Sequence, residues 1–189
     1  MELFWSGFSS FIIGIGLSAA CGFRIVIPFW GLSLAAMTGC IQLAPELQWI
    51  ATKAAFWAFA TAAVFEIGAY YIPWLDNILD AAATPLAVIA GVVITASVIT
   101  DLSPFWKWTI ALIAGGSIAG TIQTGSALLR GMSSISTGGG ANALVATAEL
   151  VGSLVTTAVS LLAPIVAFII VLFFVVWIVF KLMRRRTRS

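Results

Sequence analysis

The sequence has little of what a water-soluble protein needs. Only 8% of its 189 residues are charged, whereas about a quarter of the residues in a typical soluble domain are charged. With 61% hydrophobic residues and a mean hydropathy of +1.12, a soluble globular fold is excluded. There is no histidine, and the only cysteines, Cys21 and Cys40, lie in apolar stretches. Zinc binding, thiol redox chemistry and a disulfide framework are therefore unsupported, and we expect no metal and no cofactor.

Charge of either sign is scarce, and the basic charge is concentrated at the carboxyl end. The chain has 9 Lys and Arg against 7 Asp and Glu, a net charge of +2, and five of the basic residues lie in positions 181–188. No basic face is left for nucleic acid, so nucleic acid is not an expected partner. Because cytoplasmic segments of membrane proteins are enriched in Lys and Arg, residues 183–189 are predicted to be a basic cytoplasmic tail.

What the sequence does contain is a series of apolar runs. A spanning helix needs about 20 apolar residues, so the chain has room for about six or seven membrane segments. We therefore predict an all-α, polytopic transmembrane helical bundle in the cell membrane, with residues 1–182 as a single integral membrane domain. The run 25–41 contains Pro28 and is short enough to be a spanning helix or a re-entrant hairpin. The other runs are 3–22, 49–72, an amphipathic interfacial helix over 73–84, 85–100, 108–129, 141–160 and 161–182.

Four ionisable residues lie within or beside these apolar runs. Glu66 and Glu149 each have apolar residues on both sides, and Arg24 and Arg130 each end an apolar run within two residues of a glycine. A charge at mid-bilayer costs about 3 kcal/mol on insertion scales, so each carboxylate should face the bundle interior and have a partner. We expect the Arg24 guanidinium to point into the bundle and to bridge a carboxylate such as Glu66 and the carbonyls that Pro28 leaves without a donor. The competing interpretation is that Arg24 snorkels to the cytoplasmic interface.

The order of these residues indicates an internal pseudo-repeat. A helix, an arginine, a broken segment and a helix with glutamate occur in residues 1–84 and again in 85–182. Broken elements within repeats are common in transporters. The separation from arginine to glutamate differs between the two halves, because Arg24 precedes Glu66 by 42 residues and Arg130 precedes Glu149 by 19.

Two further features could hold an ion. A Gly-rich stretch, 131–140, runs into a predicted helix start at Asn142, where free backbone N–H groups could hold an anion. Asp76 and Asp80 are four residues apart, so they share one helix face and could bind a cation. A flexible cytoplasmic loop and a solvated interfacial acidic pair are the competing interpretations of these two features.

Three segments, 16–28, 66–91 and 138–149, carry a resemblance to a known family. They contain a Gly-Leu pair before Arg24 and Pro28, Glu66 before Ile72, Pro73 and Asp76, and Asn142 before Glu149. In this order they resemble the bacterial membrane family catalogued as domain of unknown function 4126 (DUF4126). The resemblance implies a bacterial integral membrane protein and no activity. This chain has Tyr70 and Tyr71 where the family often has Asp-Lys, and Leu150 where it often has Asp.

Two function classes are consistent with these residues. The first is a small transporter or channel for an ion or small solute, with Arg24, Glu66, Arg130, Asn142 and Glu149 at its site. The alternative is a structural or accessory membrane protein whose buried pairs only hold helices together. No catalytic constellation occurs, so we do not expect an enzyme. The expected partners are the lipid bilayer, the transported species and, in an oligomer, further copies of the chain.

The basic tail makes a prediction about topology. Five cationic residues near the C-terminus would have to cross the bilayer if the tail lay outside, so we expect the C-terminus in the cytoplasm. A reporter that is active only in the cytoplasm, fused after Ser189, should be active. Activity of a C-terminal reporter that works only in the periplasm would contradict this prediction. Seven spans place the N-terminus outside, and a re-entrant 25–41 segment places it inside.

Overall fold

The computed structural model describes residues 2–137 and 141–186. Within these ranges the chain is helical and contains no β-strand, as the sequence predicts. Eight α-helices are described in these two ranges, and a 3-10 segment (Pro45–Ala51) and a π-helical segment (Ala111–Gly116) join some of them. The α-helices are α1 (Glu2–Cys21), α2 (Val26–Met37), α3 (Lys53–Ala69), α4 (Pro73–Val98), α5 (Pro104–Ile110), α6 (Ser117–Thr137), α7 (Asn142–Leu162) and α8 (Pro164–Arg186).

Proline sets many of the helix starts. Its fixed φ suits the first helical turn, where its missing N–H needs no partner. Pro28 is the third residue of α2, so it does not free the carbonyls that we expected it to free. Pro85 lies inside α4, which is one helix of 26 residues, so the separate interfacial helix predicted over 73–84 is wrong. The residues that begin elements are Pro45, Pro73, Pro104 and Pro164.

Helix α6 continues beyond its predicted end, through several serine residues. The loop predicted from Arg130 onward is helical as far as Thr137. The Ser136 hydroxyl donates to the carbonyl of Met132, 2.8 Å away, which satisfies this polar side chain within the helix. Gly138 to Gly140, the core of the predicted anion-holding turn, lie outside the described residues.

The helices run back and forth between two ends of one bundle. Thr95 of α4 donates to the Gly14 carbonyl of α1 over 3.2 Å, and Ser153 of α7 donates to the Ala20 carbonyl over 3.1 Å. Gly16 faces Ser160, so α7 is antiparallel to α1. Arg24 and Arg130 therefore lie at one end, called here the arginine end. The Asp101 and Lys107 region lies at the other, called the lysine end.

Within the described residues, three helices are long and apolar enough to cross a membrane, and they indicate membrane association. They cover Pro104–Ser136, Asn142–Leu162 and Pro164–Lys181, and a pair bent by 66°, Pro45–Ala51 with Lys53–Ala69, would add a fourth. At about 1.5 Å per residue, α2 extends only about 18 Å, which is less than the hydrocarbon core of about 30 Å. The boundary of the predicted halves, 84 and 85, falls inside α4, and the single domain and its two halves stay predictions.

The centre of the bundle depends on close approach of α1, α4 and the π-helical segment. Ser18 donates to the Gly115 carbonyl. A methyl group added to Gly91 would lie 2.6 Å from the Ala119 Cβ and 2.8 Å from the Gly115 carbonyl oxygen. Only glycine leaves room for this contact, because a side chain at this position would force the backbones apart.

We expect Gly91→Ala to destabilise the bundle by about 1–3 kcal/mol, because overpacking of a filled interior displaces its neighbours. Gly68→Ala is the matched control, since nothing lies within 4 Å of the added methyl group. That control should be neutral or stabilising by about 0.5–1 kcal/mol. Thermal unfolding in detergent measures both, and an equal loss for both variants would contradict the close contact.

Candidate functional site

Arg24 lies in the turn between α1 and α2, and its side chain is inside the bundle. Its residue exposure is only 2%. The Nη2 atom donates to the Ala146 carbonyl of α7 at 2.9 Å and lies 3.4 Å from Glu149 Oε2. Ser153, on the same face of α7 as these two residues, approaches the Arg24 carbonyl at 3.5 Å. The turn that follows α1 is thus attached to α7 through both the side chain and the backbone.

Glu149 accepts hydrogen bonds from α6 as well. Arg130 Nε donates to Glu149 Oε1 at 2.8 Å, and Arg130 Nη2 donates to Oε2. The Ser126 hydroxyl donates to Oε1. Ser126 and Arg130 are four residues apart, so both face α7. The side chains of Arg130 and Glu149 are only 4% and 6% exposed, so one buried carboxylate pairs with two buried guanidinium groups.

Glu66 has a different set of partners from those we expected. Its Oε1 accepts from the backbone N–H of Ile25 at 2.8 Å, and its Oε2 accepts from that of Val26 at 3.1 Å. A carboxylate is stabilising there, because these N–H groups have no intrahelical acceptor and form the positive end of α2. The carboxylate that contacts Arg24 directly is therefore Glu149, and the expected direct bridge to Glu66 is wrong.

Tyr70 lies beside both arginines. The Arg24 and Arg130 Cζ atoms are 3.6 Å and 4.4 Å from the centre of its ring. The negative face of an aromatic ring attracts a cation, so the Tyr70 ring stabilises both guanidinium groups. The sequence pattern predicts Tyr70 in a headgroup belt, and its spacing of four residues from Glu66 is the signal that could have placed it at the site. We call Arg24, Glu66, Tyr70, Ser126, Arg130 and Glu149 the charged cluster.

Some hydrogen-bond donors of the charged cluster have no acceptor among the described residues. Arg24 Nε and Nη1 are buried and have no hydrogen-bond partner among the described residues. Buried polar atoms in proteins are nearly always paired, and an exception commonly marks a bound water, an ion or a functional group. Two donors at this position are therefore available to a species that brings an acceptor.

Three of the predicted site residues are not placed in the cluster. Asn142 Nδ2 donates to Ser134 at 3.1 Å and so joins the ends of α6 and α7 instead. Asp76 and Asp80 belong to the first part of α4, and their side chains lie outside the described part of the structure. In the part of the chain that is described, no group of three or more His, Cys, Asp or Glu residues could hold a metal ion.

A second ion pair lies at the lysine end. Lys107 is 3% exposed, and its Nζ donates to Glu46 Oε2 at 2.8 Å. The Glu46 side chain is 54% exposed, so water screens this pair. Nothing in the sequence pattern relates this lysine to a glutamate so distant in the chain.

A cavity of about 290 Å³ reaches the cluster from the surface between α6, α7 and α8. Ser126 and Glu149 line its inner wall, and Lys181 lines it from the last part of α8. The other lining residues are apolar or small, with Phe23, Phe174 and Trp177 among them. The cluster is therefore approached by a mainly apolar cavity.

Comparisons with known proteins agree with the resemblance seen in the sequence. The family described as Domain of unknown function (DUF4126) matches residues 11–184. The chain belongs to the DUF4126 family. No curated protein and no solved structure matches it. All members of the charged cluster fall within the residues that DUF4126 covers.

The geometry of Arg24 makes a prediction about substitution. One guanidinium contacts the Ala146 carbonyl, Glu149 and the Tyr70 ring together, and a lysine ammonium lacks the planar fork that allows this. Arg24→Ala should cost about 3–5 kcal/mol. Arg24→Lys should lose most of the same stability.

Thermal unfolding of the variants in detergent measures the effect. Lys53→Ala, which removes an exposed cation, is the control and should change stability by less than about 0.5 kcal/mol. A wild-type unfolding temperature for Arg24→Lys, with a large loss for Arg24→Ala, would show that Arg24 acts only as a point charge.

Proposed function

We propose that this DUF4126 protein is a multi-pass protein of the cell membrane that transports or conducts an ion or small solute through a path that includes the charged cluster. The observation that carries the proposal is the pair of buried, unpartnered donors on Arg24, Nε and Nη1. A pair that served only to hold helices together would be expected to satisfy its donors, because an unmet buried donor costs about 1–3 kcal/mol.

The position of the cluster supports this proposal. Ionisable groups inside membrane proteins are costly and usually face a bundle interior where they act on ions or protons. Here α3, α6, α7 and the turn before α2 all contribute to one cluster. Because both open groups on Arg24 are donors, the species that binds them must offer an acceptor, as an anion or a carbonyl-containing solute does. The proposal is for transport and not for catalysis.

The arrangement of the helices supports a multi-pass topology with about six or seven membrane segments. Helices α1, α3, α4, α5 with α6, α7 and α8 connect the arginine end and the lysine end, and α2 extends part of the way back. Lys181 and the arginines that follow it in α8 come near the arginine end. We infer that the arginine end faces the cytoplasm, since positive charge is enriched there.

A structural or accessory role is the second candidate. The observation in its favour is the compact set of hydrogen bonds around Glu149, together with the apolar walls of the cavity that reaches it. In that case replacement of either glutamate would change stability without changing any flux.

Flux in liposomes tests the proposal. Purified protein is reconstituted and assayed with chloride, phosphate, acetate, potassium and a neutral amide such as urea. We expect flux of at least one acceptor-bearing species, and a loss of at least tenfold in the Glu66→Gln/Glu149→Gln variant. The amide at position 149 keeps the shape but not the charge that pairs with Arg24, and the amide at position 66 keeps only one oxygen that can accept from the start of α2.

Glu46→Gln is the matched control, since it removes a carboxylate from the exposed pair at the lysine end. Its flux should equal that of the wild type. Size-exclusion chromatography establishes that each variant is folded before its flux is compared. Wild-type flux through a folded Glu66→Gln/Glu149→Gln variant would contradict the site, and an absence of flux for every species would contradict the transport proposal.

A further inference from the structure

The cavity beside the charged cluster is one part of a longer apolar groove. A second cavity, of about 650 Å³, lies along α7 and α8 and shares four lining residues with the first. The shared residues are Phe23, Ile122, Ala148 and Phe174. The two cavities are therefore adjacent along α7 and α8, and together they are called here the α7–α8 groove.

The groove is long, and its lining is mainly apolar. Along α8 it extends from Ile170 to Lys181, which is twelve residues or about 16 Å at 1.5 Å per residue. Most of the lining residues are aliphatic or aromatic. A length of this order, parallel to a helix that is apolar enough to span a membrane, matches an extended hydrocarbon chain better than a compact solute.

Among the described lining residues, the positive charge lies at one mouth of the groove. Lys181 lies there, with its Nζ 4.6 Å from the centre of the Trp177 ring. Three arginines, 184–186, follow in the last turn of α8. Basic sites between membrane helices bind acidic lipid headgroups, and an aromatic ring beside the cation suits the interface between headgroups and hydrocarbon.

We propose that the α7–α8 groove is a binding site for an anionic phospholipid, with one acyl chain in the groove and its phosphate at Lys181. The charge at one end and the apolar length behind it fit an amphiphile with an acidic head. Ser126 and Glu149 form part of the inner wall, so a bound chain lies against the charged cluster and excludes water from that side. The proposal does not depend on transport by this protein.

Binding measurements with lipids of matched chains test the site. Purified protein in nanodiscs or mild detergent is titrated with phosphatidylglycerol or phosphatidylcholine, and the bound lipid is counted by native mass spectrometry. We expect wild-type protein to retain phosphatidylglycerol with at least fivefold higher affinity. Lys181→Gln should remove about fivefold of that preference, which is the contribution of one cation near an anionic headgroup.

Two further variants separate the acyl site from general charge. Ala148→Phe fills the groove at an exposed small residue and should lower the affinity for phosphatidylglycerol at least tenfold. Ala158→Phe adds the same ring to an exposed position of α7 away from the groove, and Lys53→Gln removes an exposed cation near the lysine end. Both controls should bind lipid as the wild type does.

Several outcomes would overturn the proposal. Equal wild-type affinity for the two lipids would show that the groove does not select an anionic head. Unchanged binding in Ala148→Phe would place the lipid elsewhere. If the wild type is a dimer and Ala148→Phe is a monomer with unchanged lipid binding, the groove is a contact between two copies of the chain. If Ala148→Phe does not fold, equal binding by Lys181→Gln and the wild type would still contradict the proposal.

Discussion

The burial of one carboxylate between two guanidinium groups is the constraint on which the arginine end depends. Arg24 and Arg130 could not both be buried near each other without Glu149, because an unpaired charge in a low-dielectric interior is far more costly than any single contact can offset. Glu149 belongs to α7, accepts a hydrogen bond from Arg130 of α6, and forms an ion pair with Arg24 in the turn after α1. Three parts of the chain that are distant in sequence are therefore held in one register by one side chain.

The same constraint determines what surrounds the cluster. Because Glu149 pairs with the two arginines, Glu66 accepts hydrogen bonds from the first N–H groups of α2. These hydrogen bonds place α3 beside the start of that helix. Tyr70 is one turn further along, at the end of α3, so its ring lies against both guanidinium groups. At the lysine end, by contrast, Glu46 is half exposed and its pair with Lys107 has water on one side. Because water screens such a pair, it places few demands on its neighbours.

Local signals in the sequence are enough for much of the helical architecture. Apolar runs 3–22 and 141–160 correspond closely to α1 and α7, because hydrophobicity alone defines a membrane-length helix. The same rule fails for residue types that occur both inside helices and at their boundaries. Pro85 indicates a boundary in the sequence but lies inside α4, and serine and glycine after Arg130 indicate a loop but continue α6.

The identity of the cluster residues can also be read from the sequence in part. Arg24, Glu66, Arg130 and Glu149 are conspicuous because charge is rare among apolar runs. Their pairing cannot be read in this way, since spacing along one helix says nothing about which arginine meets which glutamate across the bundle. Close packing at Gly16, Ser153 and Ser160 brings α7 against α1 and so selects Glu149 for Arg24.

The rigid shape of the guanidinium group connects the contacts that Arg24 makes with the directions of its remaining N–H donors. Its five N–H groups lie in one plane, so contacts that hold one nitrogen also fix the directions of the others. Nη2 is held by the Ala146 carbonyl and by Glu149, and the Tyr70 ring covers one face. The directions of the Nε and Nη1 donors, which no described residue satisfies, are thereby fixed as well. The contacts that stabilise the fold at Nη2 therefore also determine where the two remaining donors of Arg24 point.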